Sequence, residues 1–494
     1  MSKKIISIDQ GTTSTRAVLF DEKGNLLDYE QKEFLQSFPQ DGWVEHNPED
    51  IWNSVVAVTK NLIRKHKLDP KDIAGVGITN QRETTLVWEK KTGKTIYPAI
   101  VWQDRRTSNF CEQLRKERGL EKKIQDKTGL LIDPYFSATK LAWILDNVEG
   151  ARRKAESGEL AFGTVDSFLV WHLTQGKYHR TDATNASRTM LFNINSNSWD
   201  EDLLKLLAIP EAILPEVCDS VFHYGSTNLF GGSLTIGGIA GDQQSALIGQ
   251  CCFNPGETKS TYGTGCFLLV NTGEKKISSK NKLLSTIAYR VNGKTTYGLE
   301  GSIFVAGSAI QWLRDELGFF KSAEDTENII KKRDPNSKVL VVPAFTGLGA
   351  PHWDPAARGS IFGLTRDTSI SDITAATLES IAFQTRDLIR AMQSDGATFS
   401  DLRVDGGMVV NNWFCQTLSS VLDLSINRPK FIETTALGAA YLAGIQSGLF
   451  SDLVSLKTNW ESEKVFKPET DEIHNFEEKY KRWLSAVERT KGLF

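Results

Sequence analysis

The sequence predicts an α/β protein built as two like halves flanking a central cleft. Strand-like apolar runs alternate with helix-like segments along the chain. Its 494 residues exceed what one ordinary core accommodates. One pattern also occurs twice: a pair of apolar runs joined by a Gly/Thr turn, first at residues 5–20 and again at 259–273. With no Pro-rich or low-complexity linker between the copies, the boundary falls near residue 250, giving halves 1–250 and 251–494.

In the first copy, Ile5, Ile6 and Ile8 predict a buried strand ending at Asp9, and Ala17, Val18, Leu19 and Phe20 a second one. Between them lie Gly11, Thr12, Thr13 and Ser14. Glycine lets the backbone approach a ligand, and the hydroxyls donate to oxyanions. Arg16 adds a fixed positive charge, and Asp9 a carboxylate suited to hydrated Mg²⁺. The set fits a metal-bound polyphosphate, although a plain Gly-Thr hairpin uses the same residue types. Next, Asn47-Pro48-Glu49-Asp50 reads as a helix start, followed by an apolar face of Ile51, Trp52, Val55, Val56, Leu62 and Ile63. The strand-like 73–78 run leads into Thr79-Asn80-Gln81-Arg82-Glu83, and the apolar run 98–101 into Trp102 and Asp104. Polar clusters at strand ends are where open α/β sheets bind ligands. Arg82-Glu83 sets a donor fork beside an acceptor, which suits a polyol; a surface ion pair has the same composition. Trp102, Tyr135 and Phe267 are candidate walls for a carbon chain, or core residues.

Gly241-Asp242-Gln243-Gln244 ends the strand-like 234–240 run and precedes a helix-like 245–248. Asp242 can there take a proton from an attacking hydroxyl, or simply cap the helix. The second Gly/Thr turn, Gly263-Thr264-Gly265, suggests a grip on one polyphosphate from two sides. Residues 301–311 read as a helix of small residues. Asp405-Gly406-Gly407 with Asn411 and Asn412 follows the 402–404 strand, where paired glycines allow a flat base to lie on the backbone.

Several classes are excluded. A net charge of −3 gives no footprint for nucleic acid or an anionic membrane, and no apolar run is long enough to span a bilayer. Six cysteines without a Cys-x-x-Cys pair read as buried thiols of a reducing cytoplasm. Seven scattered histidines leave acid–base work to carboxylates. Gly93-Lys94-Thr95 and Gly293-Lys294-Thr295 are not P-loops, because Trp88 and Ala288 occupy the place of the first glycine.

Taken in order, these segments resemble the FGGY carbohydrate kinase family, and within it the glycerol-phosphorylating members. The resemblance rests on Asp9–Arg16, Asn80–Thr85, Gly241–Gln244, Tyr262–Phe267, Asp405–Gly407, the Tyr135–Asn147 signature with Lys140 and Trp143, and the specific Gly347–Gly359 block. It implies two ribonuclease-H-like domains of the actin/hexokinase/Hsp70 ATPase type. It implies ATP and Mg²⁺, with glycerol as acceptor, an enzyme working as a homodimer or homotetramer, and neither nucleic acid nor membrane insertion. By the same resemblance, Thr12, Thr13, Ser14, Arg16 and Thr264 would hold phosphates, and Gly307, Gln311, Gly407 and Asn411 the adenosine. Arg82, Glu83, Tyr135, Asp242 and Gln243 would bond the polyol between Trp102 and Phe267. Asp242 would be the catalytic base, and Asp9 and Asp242 would hold the metal through water. Some relatives bind a sugar bisphosphate through a Gly-rich loop carrying an arginine; the 224–238 loop here has none. A kinase for another small polyol or ketose, and a conformational ATPase without a small acceptor, are the alternatives.

Overall fold

The computed structural model describes residues 3–354 and 356–492. The apolar runs of residues 5–20 form the strands Lys4–Gln10 and Ser14–Phe20, paired antiparallel so that Asp9 lies opposite Arg16. Their side chains are buried on both faces, which explains the unbroken hydrophobic runs. Lys4–Gln10 then pairs in parallel with Ile73–Asn80, which pairs in parallel with Leu234–Gly241. Leu26–Glu33 and Val221–Thr227 close the two edges of this six-stranded sheet. The helix Pro48–Lys65 begins as the sequence predicts, with the Asn47 side chain accepting from the Glu49 amide.

The second sheet repeats the plan. Lys294–Ile303, Cys266–Gly273 and Glu257–Tyr262 are antiparallel neighbours. Asp401–Asp405 and Ile426–Pro429 follow in parallel, and Ser462–Phe466 returns antiparallel. An extra strand, Leu284–Val291, brings this sheet to seven. The repeated Gly/Thr turn is thus the sequence trace of a repeated strand order, and the two sheets divide between residues 241 and 257.

One helix ties the halves together. Thr434–Gln446 lies in sequence between two strands of the second sheet, Ile426–Pro429 and Ser462–Phe466, but packs on the strands Ile73–Asn80 and Leu234–Gly241 of the first, and on the helix Asp242–Gly249. The approach is backbone to backbone: a Cβ on Gly438 would stand 1.8 Å from the Ser245 carbonyl oxygen, so only glycine fits. Ile5, Val18 and Phe20 share a core here with Leu269, Ala440 and Leu442. The helix expected over residues 301–311 is corrected: the strand runs on to Ile303 and the helix starts at Gly307. Small residues suit either state, and the ladder from Val270↔Leu299 to Cys266↔Ile303 decides it. The loop expected over 224–238 is corrected: its two ends belong to the paired strands Val221–Thr227 and Leu234–Gly241, and only 228–233 form the turn of this hairpin at the sheet edge. All six cysteines are buried free thiols. Among the described residues, no helix is long and apolar enough to cross a membrane.

Candidate functional site

Both sheets aim their strand ends at one cleft. A cavity of about 370 Å³ lies there, lined by Asp9, Gly11, Thr12, Thr13, Ser14 and Arg16 on one side. Thr261, Asp405, Gly406, Gly407 and Glu433 face them. The facing wall is therefore the turn after Asp401–Asp405, and Thr264 stands outside it. Gly406 has φ +90°, and a Cβ there would meet the Tyr262 carbonyl oxygen at 2.5 Å. Nothing lies within 4 Å of a Cβ placed on Gly407, so the backbone is open to a ligand. Asp405 anchors the turn by accepting from Gln250 and from Thr434, each at 2.7 Å.

The Asp9 carboxylate sits at the end of its strand, and burial pushes it up to about 7, opposed by Arg16. Asp242 is a further acidic neighbour. Asp9 on the cavity wall, with the Asp242 charge close enough to act on it, fits a divalent cation, and among the described residues no group of three His, Cys, Asp or Glu forms a protein-only metal site. An ion here would thus keep water and phosphate oxygens as most of its ligands. Arg16, expected to meet phosphate, pairs with Glu433 at 2.6 Å and donates to Gln31 at 2.8 Å. Glu433 immediately precedes the helix Thr434–Gln446, so this pair bridges the cavity from half to half.

The residues expected on the adenosine side gather on the second half. Gly307 donates its amide to the Gly263 carbonyl, and a Cβ on it would lie 3.5 Å from Met408 Cγ. The Thr264 carbonyl accepts from the amides of Ala306 and Ser308, strapping that turn to the helix Gly307–Asp315. Gln311 is exposed on that helix. The Asn411 side chain caps the helix Asn412–Leu422 through the Phe414 amide and donates to Thr326 at 3.0 Å, so both ends of its amide are engaged.

A second group lies next to the phosphate-side turn. The Trp102 indole N–H donates to Thr12 Oγ1 at 2.9 Å, leaving the Thr12 hydroxyl proton to donate elsewhere. Trp102 packs edge-on against Tyr135 and Phe267, with ring centres 5.7 and 6.3 Å away. Arg82 and Glu83, read from sequence as exposed or ligand-facing, are both buried. Arg82 Nε lies 3.1 Å from Asp242 Oδ1, and its Nη2 donates to the Tyr135 hydroxyl at 3.0 Å. Its backbone is left-handed, φ +44°. Asp242 is the first residue of its helix rather than the cap, and accepts from the Gln243 amide at 2.6 Å. Its side chain keeps 32% exposure, while partial burial raises the carboxyl above its usual range against the pull of Arg82. That direction favours a proton acceptor near neutral pH.

Three charged residues escaped the sequence reading: Arg188, Glu300 and Lys259. Each is fully buried, and each bonds a predicted site residue. Arg188 Nε donates to Glu83 at 2.7 Å, Glu300 accepts from Arg82, and Lys259 donates to the Gln243 side-chain oxygen. For Glu300 and Lys259 the signal was a lone charge inside an apolar or hydroxyl strand, such as Leu299-Glu300-Gly301, whereas Arg188 lies in the turn after the helix Ala183–Ala186. The Tyr135–Asn147 signature has a structural basis. Lys140 is buried and donates to the carbonyls of Pro134 and Tyr135 at 3.0 and 2.6 Å, fixing the tyrosine's backbone. Burial pulls the Lys140 ammonium down to about 7. In the Gly347–Gly359 block, Pro355 lies outside the described residues.

A duplicated sheet plan, a cleft lined by hydroxyls and glycines, and a half-buried carboxylate beside a buried arginine define a two-domain phosphotransferase. The chain belongs to the FGGY family of carbohydrate kinases: that family's N-terminal domain matches residues 4–249 and its C-terminal domain residues 258–447. It is 57% identical over 493 residues to glycerol kinase of Marinomonas sp., covering 99% of both chains. It is 54% identical to glycerol kinase 1 of Pseudomonas aeruginosa, covering all of both. Among solved structures it resembles Plasmodium falciparum glycerol kinase with ADP, with TM-score 0.91, 38% identity and coverage of 99% and 98%. Gluconate kinase of Lactobacillus acidophilus shares the fold at TM-score 0.90 and 22% identity, covering 100% of this chain and 99% of that one. The protein is an ATP-dependent phosphotransferase.

Proposed function

We propose that this chain transfers the γ-phosphoryl group of ATP to a terminal hydroxyl of glycerol, giving sn-glycerol 3-phosphate. The observation that supports it most is the convergence of Arg82, Tyr135 and Asp242 beside aromatic walls, joined to the phosphate-side turn by the Trp102–Thr12 bond. The aromatic faces of Trp102, Tyr135 and Phe267 suit the apolar side of a short carbon chain, and the polar groups supply donors and acceptors for adjacent hydroxyls. The names of the full-length relatives point to the same acceptor.

In this reading Arg82, Glu83, Tyr135 and Gln243 orient the polyol. Asp242 Oδ accepts the proton of the attacking hydroxyl as its oxygen approaches phosphorus in line. Thr12, Thr13, Ser14 and Arg16 hold the phosphates from the first half; Thr264, Gly307, Gln311, Gly407 and Asn411 face the nucleotide from the second. A magnesium ion, where bound, neutralises phosphate charge, and Asp9 and Asp242 are the residues that would hold it through water. Positioning and charge neutralisation supply most of the acceleration. Six reduced, buried cysteines support a cytoplasmic location. The test is ATP consumption with glycerol against a panel of pentuloses and tetritols. Glycerol should give the highest kcat/KM; a pentulose or tetritol above it reassigns the acceptor, and turnover independent of any acceptor removes the kinase reading.

A further inference from the structure

We propose that Glu300 is a positioning residue of the polyol site, supplied to the first half's site by a strand of the second. This rests on the assignment of Arg82 and Glu83 to the polyol. Glu300 lies on Lys294–Ile303 with no exposed surface. Its carboxylate accepts from Arg82 Nη1 at 2.5 Å and Nη2 at 3.3 Å, and from Arg188 Nη2 at 2.8 Å. Arg188 in turn holds Glu83 through Nε at 2.7 Å. One carboxylate therefore fixes two guanidinium groups, of which Arg82 lies beside both Asp242 and Glu83 and Arg188 holds Glu83.

The geometry explains why the site needs a third acid. The Arg82 stem is confined, since a Cβ on Gly241 would stand 2.7 Å from its Cγ, so only the guanidinium head has freedom. With Glu300 in place the head is turned toward the second sheet, leaving Nε near Asp242 at 3.1 Å and Glu83 at 3.6 Å. Without it, two buried guanidiniums must satisfy themselves on Asp242 and Glu83. Those are the acceptors that polyol hydroxyls use. Glu300 lightens the demand on them by taking the Nη1 and Nη2 donors of Arg82 and the Nη2 donor of Arg188. Because Glu300 and Phe267 both come from the second sheet, the polyol site is complete only when the halves are together.

The test varies glycerol and ATP separately on wild type, Glu300→Gln and Glu300→Asp. Glu300→Gln should raise the glycerol KM about tenfold or more, the loss of charged hydrogen bonds, with the ATP KM within about twofold. Glu300→Asp keeps the charge and should fall between wild type and Gln. A Gln variant with wild-type glycerol KM, or with both KM values raised by one factor, overturns the proposal. If Gln does not fold, the Asp variant decides: a glycerol KM raised about threefold with ATP unaffected supports it, and an unchanged KM overturns it. Failure of wild type to phosphorylate glycerol would sink the acceptor assignment alone, and the same split is then read with whichever polyol of the panel is turned over.

Discussion

Replacing Asp242 with asparagine removes the proposed proton acceptor while changing almost nothing else. Asparagine has the same shape, and its Oδ1 can still accept from the Gln243 amide at the 2.6 Å site. Arg82 loses an ionic neighbour at 3.1 Å but keeps Glu300 and Tyr135. The buried charge thus stays compensated, and the fold should hold. General-base assistance accounts for a factor of about 10²–10⁴, or about 3–5 kcal/mol of barrier. Asp242→Asn should therefore lower kcat by about two to four decades, with the glycerol KM within about threefold and the thermal midpoint little changed. ADP release followed by a coupled enzyme measures both constants. A folded variant with kcat within about threefold of wild type refutes the assignment of the base.

Three further outcomes follow from the geometry. Glu433→Gln frees Arg16 from a pair whose side chains are 33% and 45% exposed, so the gain is small: the ATP KM should fall by up to about fivefold in steady-state kinetics, whereas a rise would show that Glu433 helps bind nucleotide. Gly406→Ala forces a side chain onto a φ of +90° and against the Tyr262 carbonyl; denaturant unfolding should show a loss of about 1–3 kcal/mol, and an unaffected midpoint contradicts the turn geometry. Burial pushes the His46 imidazole from 6.5 down to about 4. The unfolded chain then binds the extra proton, so the stabilisation is complete above pH 6.5 and fades as pH falls toward 4, by up to about 3 kcal/mol. Urea unfolding across that window should show a slope that His46→Asn reduces; equal slopes would contradict the burial effect.

Much of the fold was legible because its signals are local. The Asn47 cap, the apolar runs around Gly11 and the strand-to-helix turn at Asp242 each lie within a few residues. The repeated Gly/Thr turn even exposed the duplication, since both copies occupy the same place in the same strand order. What stayed hidden depends on distance along the chain. Arg82 meets Glu300 across 218 positions, and Arg16 meets Glu433 across 417. No window of sequence brings such residues together, and a lone acid between Leu299 and Gly301 announces only that a partner must exist. Residues 301–311 were misread for a related reason: small side chains permit strand or helix, and the neighbouring strand chose. The helix Thr434–Gln446 likewise crosses back onto the first sheet, which its own apolar pattern cannot disclose.

The central claim is that the carboxylate, arginine and aromatic walls beside the hydroxyl-lined cleft exist to phosphorylate glycerol. Phosphorus NMR of the protein with magnesium, ATP and carbon-13 glycerol tests this directly. The predicted result is loss of ATP matched one for one by a phosphomonoester coupled to a terminal carbon of glycerol. Release of inorganic phosphate in its place, with glycerol unchanged, would contradict it.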